Sequence, residues 1–173
     1  MIEHKIIITG TMGAGKTTAI AAVSEIPPIS TDVNNTDANI EKEKTTVAFD
    51  YGQVSLGNNE TLRLYGTPGQ KRFSFMRKLL VKGALGVIIL VDSLRPDPLK
   101  DLKIYLDNFS SLIESTACVI GITKMVNKDE TTINRYASFS AQHGVICPIV
   151  AVDIQSKDDI LMLLNLLLTQ LYI

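Results

Sequence analysis

One glycine-rich segment near the start of the chain carries the residue types that bind phosphate. Residues 10–17 read Gly-Thr-Met-Gly-Ala-Gly-Lys-Thr and match the pattern G-x-x-x-x-G-K-[ST]. The glycines let backbone N–H groups approach phosphate oxygens, Lys16 would contact the terminal phosphates, and the Thr17 hydroxyl would bind Mg²⁺. The residues predicted to form this phosphate-binding loop are Thr11, Met12, Gly13, Ala14, Gly15, Lys16, Thr17 and Thr18.

The segments on either side supply the strand and the helix that such a loop needs. Ile6-Ile7-Ile8 is an apolar run typical of a buried strand, and residues 18–23 are compatible with a helix. This order brings several backbone N–H groups and the positive end of a helix to one place. It therefore favours a nucleotide-binding loop over a glycine-rich turn formed by chance.

A second segment contains hydroxyl groups suited to a metal ion and a third phosphate. Residues 44–47, Lys-Thr-Thr-Val, join a long polar loop to a strand. A threonine there can place its hydroxyl on Mg²⁺ and its N–H on the terminal phosphate, which would order the loop only in the triphosphate state. Thr46 is the first choice for this role and Thr45 the second, although β-branched residues also favour strands in general.

A third segment, Gly66-Thr67-Pro68-Gly69-Gln70, follows the next strand. Its Pro-Gly turn would orient the Gly69 N–H toward a γ-phosphate. Gln70 would then lie where an attacking water is held, which makes Gln70 the predicted catalytic residue.

With these three segments the chain resembles the small GTPase superfamily over almost its whole length. The similarity is strongest to the bacterial Ras-like proteins related to the gliding-motility polarity GTPase and to the branch found with roadblock-domain proteins. Some similarity to Arf and to the signal recognition particle receptor β subunit is also present. The residues that carry it are 10–17, Thr45-Thr46-Val47 with Asp50-Tyr51, Gly66-Thr67-Pro68-Gly69-Gln70 and Val91-Asp92-Ser93.

The resemblance implies a molecular switch that binds GTP and GDP, with Mg²⁺ as cofactor held by Thr17 and Thr46. It also implies a roadblock-type regulator or GTPase-activating partner, and a role in polarity, motility or surface organisation in a bacterium. Residues 29–46 contain no Arg, so this loop offers no arginine finger in cis, and slow intrinsic hydrolysis is expected.

One departure from the family pattern concerns the metal ion. Gly66 stands where most members have the Asp that holds the Mg²⁺ shell, which predicts weaker Mg²⁺ binding in the diphosphate state. Four carboxylates could replace the missing one, and the sequence does not choose between Asp92, Asp50, Asp32 and Asp37.

The other departure concerns the base. Where the family has Asn-Lys-x-Asp, this chain has Thr123-Lys124-Met125-Val126. Lys124 can still cover the base plane, but Val126 has no carboxylate to accept the two guanine N–H groups. A preference for guanine is expected, but the discrimination against adenine should be weaker than in the family. The residues expected near the base are Thr123, Lys124, Asp153 and Ile154.

Composition and the alternation of elements predict the fold. A chain of 173 residues is expected to form one domain, residues 1–173, and a net charge of −1 gives no electrostatic reason to expect nucleic acid as a partner. We expect an α/β P-loop NTPase domain, with a six-stranded, mostly parallel sheet, one antiparallel edge strand and about five flanking helices.

The expected strands are Lys5–Thr9, Thr45–Leu56, Glu60–Tyr65, Leu85–Val91, Ala117–Ile122 and Val145–Val152. The expected helices are Lys16–Glu25, Lys71–Lys82, Asp97–Glu114, Asp129–Gln142 and Lys157–Tyr172.

The chain shows no signal peptide, transmembrane segment or lipid anchor, so a cytoplasmic location is expected. The oligomeric state stays open. Two alternatives to a switch also stay open. One is a degenerate nucleotide-binding module that docks partners without hydrolysis, which Gly66, Val126 and Met12 favour. The other is a P-loop ATPase or kinase.

Overall fold

The computed structural model describes residues 1–29, 49–68 and 74–171. Predictions for residues 30–48, 69–73 and 172–173 lie outside these ranges. Six residues with predicted roles are among them: Asp32, Asp37, Thr45, Thr46, Gly69 and Gln70.

Six strands form one sheet in the order β2-β3-β1-β4-β5-β6. They are β1 Ile2–Gly10, β2 Asp50–Gly57, β3 Glu60–Gly66, β4 Ala84–Asp92, β5 Ala117–Thr123 and β6 Ile149–Val152. Every neighbouring pair is parallel except β2–β3, which is antiparallel and lies at one edge. The predicted α/β fold, with a six-stranded, mostly parallel sheet and one antiparallel edge strand, is confirmed.

Within the described ranges the chain has six helices, which lie on the two faces of this sheet. They are α1 Lys16–Val23, α2 Ser74–Val81, α3 Pro98–Asn108, α4 Ser110–Ser115, α5 Glu130–Gln142 and α6 Lys157–Thr169. None of the helices in these ranges is long and apolar enough to span a membrane.

Each sheet face has its own hydrophobic core, because side chains of a strand alternate in direction. Ile6 and Ile8 of β1 pack with residues of α1 and α6 on one face. Ile7 between them packs on the opposite face with residues of α3, α4 and α5. Strands buried on both faces have no polar face, which explains why the central strands appear in the sequence as unbroken apolar runs.

The edge hairpin turns at two asparagines. Asn58 and Asn59 have φ of 49° and 65°, the left-handed conformation that a two-residue hairpin turn requires and that Asn tolerates. The two strands expected on either side of residues 57–59 therefore form a hairpin, which brings Asp50 opposite Gly66 at the far end of the strand pair.

Two predicted elements differ most from the structure. The helix expected over Asp97–Glu114 divides at Phe109 (φ −113°, ψ 13°), whose ring is buried in the core, and this raises the number of helices from about five to six. The strand expected over Val145–Val152 begins only at Ile149. Pro148 has no N–H for the ladder, and the Val145 N–H instead donates to Ser140 O at the end of α5.

The end of β1 is a point of close backbone approach, and it generates a first prediction. A Cβ at Gly10, where φ is 150°, would lie 2.4 Å from the carbonyl oxygen of Leu90 in β4. We expect Gly10→Ala to lower the free energy of unfolding by more than about 3 kcal/mol, because two paired strands must separate. Urea unfolding measures this change.

The matched control is Gly57→Ala at the hairpin. Gly57 also has positive φ, 79°, but a Cβ there would meet no atom within 4 Å. Gly57→Ala should therefore lower the free energy of unfolding only by the strain of the left-handed conformation, about 1–2 kcal/mol. Equal losses for the two variants would contradict a specific constraint at Gly10.

Candidate functional site

The ends of four strands bring the predicted site residues to one edge of the sheet. The register pairs Ile8 of β1 with Gly66 of β3, and Asp92 of β4 with Thr123 of β5. The loop that starts at Gly10 lies between them, because β1 pairs with both β3 and β4. This carboxyl edge is where open α/β sheets bind ligands.

The loop leads directly into the N-terminus of α1. Gly15 precedes the first helical residue with φ of 96°, and no side chain caps this helix end. The first turn also carries no acidic residue. Thr17 and Thr18 are exposed there, and Ala14 is buried beneath the loop. Uncapped N–H groups at a helix N-terminus form an anion site, so the backbone fits a phosphate group.

Lys16 lies inside the loop rather than in solvent. Its Nζ donates hydrogen bonds to the carbonyl oxygens of Gly10 and Thr11, both at 2.8 Å. Burial lowers the pKa of Lys16 to about 8, and the negative charge of Asp50 opposes part of that shift. The ammonium group is thus held at the centre of the loop, where a phosphate oxygen can replace a carbonyl as its partner.

Two further features of the loop fit a bound anion. The buried Thr11 Oγ1 has no hydrogen-bond partner within the described part of the chain, although buried hydroxyls are normally paired. Gly13 has φ of 81°, and a Cβ there would meet no atom within 4 Å, so the loop is open on this side. Met12 is 63% exposed and does not close it.

A hydroxyl and a carboxylate meet next to Lys16. Thr17 Oγ1 donates a hydrogen bond to Asp50 Oδ2, across from α1 to the first residue of β2. Both groups are hard oxygen ligands, which is the donor set that Mg²⁺ prefers. No cluster of three His, Cys, Asp or Glu side chains exists among the described residues. Mg²⁺ does not require one, since it usually keeps waters and uses one or two carboxylates with substrate phosphates.

Lys124, which follows β5, contacts the phosphate loop from the side of β4 and β5. Its Nζ lies 2.6 Å from Asp92 Oδ2 and 3.1 Å from the carbonyl oxygen of Gly13. Asp92 is 7% exposed, and its other oxygen accepts a hydrogen bond from the Leu94 N–H at 2.9 Å. Lys124 was expected to cover the base, and this tie between the ends of β4, β5 and the loop was not foreseen.

The residues near the expected base site offer fewer polar groups than the residues of the phosphate loop. Thr123 is buried and donates to Val91 O at 3.3 Å, whereas Val126 is 86% exposed. Asp129, the nearest carboxylate after Val126 in the sequence, caps α5. It accepts hydrogen bonds from the Thr132 N–H at 2.7 Å and from the Thr132 hydroxyl at 2.9 Å, and both lower the pKa of Asp129.

In the loop between β6 and α6, two backbone N–H groups are already bound by nearby carboxylates. Asp153 N–H donates to Asp159 Oδ2 at 2.7 Å, and Gln155 N–H donates to Asp153 Oδ1 at 2.9 Å. The side chain of Ile154 lies against Gly15, where a Cβ would come within 2.1 Å of Ile154 Cδ1. Ile154 therefore packs on the phosphate loop, which the sequence did not indicate.

A buried hydroxyl pair connects two of the predicted segments. Thr9 Oγ1 and Thr67 Oγ1 lie 2.7 Å apart, and the Thr67 N–H donates to Ile8 O at 2.9 Å. The pair ties β1 to the start of the Gly66–Gln70 segment. Thr9 had no predicted role, and its only signal in the sequence is a polar residue at the end of an apolar strand.

Fold and loop together define a P-loop nucleotide-binding domain. Residues 29–142 match the model of a family described as conserved hypothetical ATP binding protein, and the chain belongs to that family. The matched range begins after the phosphate loop.

Two curated proteins are similar to this chain. The chain is 29% identical over 128 residues to the uncharacterised protein MJ1339 of Methanocaldococcus jannaschii, covering 74% of this chain and 71% of that protein. It is 24% identical over 147 residues to the Ras-related protein Rab-1D of Dictyostelium discoideum, covering 82% and 67%. The second similarity supports a GTPase-like relationship.

The lowered pKa of Lys16 predicts proton uptake when a nucleotide binds. In the free protein Lys16 loses its charge as the pH rises through about 8, whereas bound phosphates would keep it protonated. Affinity should therefore be nearly constant below pH 7 and should fall above pH 8, approaching about tenfold per pH unit. Calorimetry in buffers of different ionisation enthalpy should detect close to one proton taken up at pH 9 and about a tenth of one at pH 7.

Lys103→Ala, which removes an exposed lysine of α3 far from the loop in sequence, is the control and should leave the proton uptake unchanged. Equal uptake by the native protein at both pH values would exclude a titrating Lys16.

Proposed function

We propose that this chain is a regulatory small GTPase that binds GTP and GDP with Mg²⁺ and hydrolyses GTP slowly. The observation that carries the proposal is the loop of residues 10–17, with Lys16 at its centre and the Thr17 hydroxyl on a carboxylate. The similarity to Rab-1D and the Gly66-Thr67-Pro68-Gly69-Gln70 segment support the GTPase assignment.

In this proposal the residues of the chain have distinct tasks. Lys16 and the N–H groups that open α1 neutralise and orient the phosphates. Thr17 and Thr46 would hold Mg²⁺, which when bound supplies positive charge to the terminal phosphates. Gln70 orients the attacking water, and Gly69 donates its N–H to the γ-phosphate. Loss of that phosphate would release the segments that contain Thr46 and Gly69.

The residues expected near the base in the sequence analysis are also assigned to the base in this proposal. Thr123 and Lys124 end or follow β5, and Asp153 and Ile154 follow the neighbouring strand β6; in the proposal the base binds beside these four residues. Lys124 also fixes the loop through Gly13, so its contribution includes the shape of the phosphate site. On the basis of the resemblance, we also propose that the protein is a cytoplasmic switch in a bacterium with a roadblock-type regulator.

A P-loop ATPase is the second candidate, and two observations favour it. The family to which the chain belongs is described as ATP binding. Val126, which replaces the guanine-binding Asp, is 86% exposed and offers no acceptor. A module that binds nucleotide without hydrolysis is the third candidate, supported by Gly66 and Met12.

Competition between GTP and ATP for a fluorescent nucleotide tests the proposal. We expect GTP to bind more tightly than ATP, and we expect Mg²⁺ to be required for phosphate release. Val126→Asp should increase the preference for GTP by at least about ten- to a hundredfold, because each charged hydrogen bond from a guanine N–H to the new carboxylate contributes about 1.5–3 kcal/mol. Val126→Asn is the uncharged control. Tighter binding of ATP by the native protein would favour the ATPase.

A second prediction concerns Gln70. Gln70→Leu should leave nucleotide affinity unchanged and slow phosphate release by about tenfold or more, since the side chain that orients the water is lost. Single-turnover phosphate release measures the effect. Gln142→Leu makes the same chemical change on the exposed end of α5 and should have none. Equal rates for Gln70→Leu and the native protein would remove Gln70 from the mechanism.

A further inference from the structure

The carboxylate beside Thr17 comes from the edge strand β2. Asp50 is the first residue of β2, and the antiparallel register places it opposite Gly66 at the end of β3. Its Oδ2 accepts the hydrogen bond of the Thr17 hydroxyl. Asp50 is also close enough to Lys16 for its charge to raise the pKa of that lysine. One carboxylate therefore faces both residues that end the phosphate loop.

The space that Asp50 uses exists because residue 66 has no side chain. A Cβ at Gly66 would lie 3.1 Å from Asp50 Cβ and 3.3 Å from Asp50 Oδ2. It would also lie 3.1 Å from Ile20 Cδ1 of α1. These distances are tighter than ordinary van der Waals contact, so Asp50 or Ile20 would have to shift by a few tenths of an ångström if residue 66 had a side chain.

Asp92, another carboxylate at this edge of the sheet, is already engaged. One of its oxygens accepts from Lys124 and the other from the Leu94 N–H, both in a nearly buried position. Moving it toward Thr17 would leave Lys124 without its charged partner. Asp32 and Asp37 lie outside the described residues.

We propose that Asp50 is the metal-site carboxylate of this chain, acting from β2 through the space that Gly66 leaves. The inference rests on the proposed nucleotide function and deepens it. Mg²⁺ at Thr17 needs one or two carboxylates in its surroundings, and a residue that already contacts the Thr17 hydroxyl is placed to accept from metal-bound water.

The position of Asp50 in the chain gives the arrangement a consequence. Asp50 is the first residue of β2, so a metal ion beside Thr17 would be coupled directly to the start of this strand.

The test compares removal of the carboxylate with its transfer to the opposite strand. Asp50→Asn keeps the shape and an acceptor for Thr17 but removes the charge. Asp50→Gly combined with Gly66→Asp moves the carboxylate across the β2–β3 pair into the vacated space. The measurement is the release rate of fluorescent GDP as a function of free Mg²⁺, which does not depend on hydrolysis.

We expect Asp50→Asn and Asp50→Gly to raise the Mg²⁺ concentration for half-maximal GDP retention by about tenfold or more, the usual effect of losing a carboxylate near a metal. The double variant, Asp50→Gly with Gly66→Asp, should bring the Mg²⁺ concentration for half-maximal GDP retention most of the way back to the native value. Asp107→Asn, which removes an exposed carboxylate paired with Lys103, should change nothing. Thermal melting is used to check that each variant is folded. If the double variant does not fold, Asp50→Asn alone tests whether Asp50 is the metal-site carboxylate.

Failure of the inference and failure of the proposed function give different results. If native protein retains GDP in a Mg²⁺-dependent manner and Asp50→Asn behaves identically, Asp50 is not the carboxylate. Loss in Asp50→Asn without recovery in a folded exchange variant would overturn the role of the Gly66 space. If native protein does not bind GDP at any Mg²⁺ concentration, the proposed GTPase function itself fails.

Discussion

The phosphate loop depends on holding one ammonium group in a place where water is scarce. Lys16 is 8% exposed, and a buried charge is costly unless it is paired and hydrogen-bonded. The carbonyls of Gly10 and Thr11 and the nearby charge of Asp50 provide that compensation. The loop backbone can supply two carbonyls to a single Nζ because it folds around the lysine, and glycine at position 10 permits this path beside β4.

Two charged contacts brace this loop from opposite sides of β1. On the side of β3 and β2, Asp50 contacts Thr17; on the side of β4 and β5, Lys124 contacts Gly13 and Asp92. Both contacts originate at strand ends, so the rigid sheet positions them and no side chain has to reach from a distant loop. An incoming triphosphate would meet a site whose cation and whose backbone donors are already oriented, which lowers the cost of organising them on binding.

Local sequence patterns were sufficient for most of the helices and strands, but not for the contacts between strands. Unbroken apolar runs identify strands such as β1, β4 and β5 because both faces of the sheet are covered. The choice of Asp50 among four carboxylates required the register of β2 against β3, which no local pattern encodes. The division of a helix at Phe109 and the late start of β6 after Pro148 likewise follow from core packing and from a missing N–H. The assignments of Thr46, Gly69 and Gln70 stay predictions.

The two departures from the family pattern have different consequences in three dimensions. At Gly66 the missing side chain leaves room for Asp50, so the phosphate end of the site has its carboxylate. At Val126 no described residue takes over, since Asp129 is engaged as a helix cap and two N–H groups of the last loop are bound by Asp153 and Asp159. Binding energy should therefore come mainly from the phosphates and the metal ion. A site built this way can bind a nucleotide firmly while distinguishing its base weakly, because discrimination requires polar groups that the wrong base leaves unpaired. Weak discrimination of the base would be compatible both with the resemblance of residues 66–70 to a GTPase segment and with membership of a family described as ATP binding.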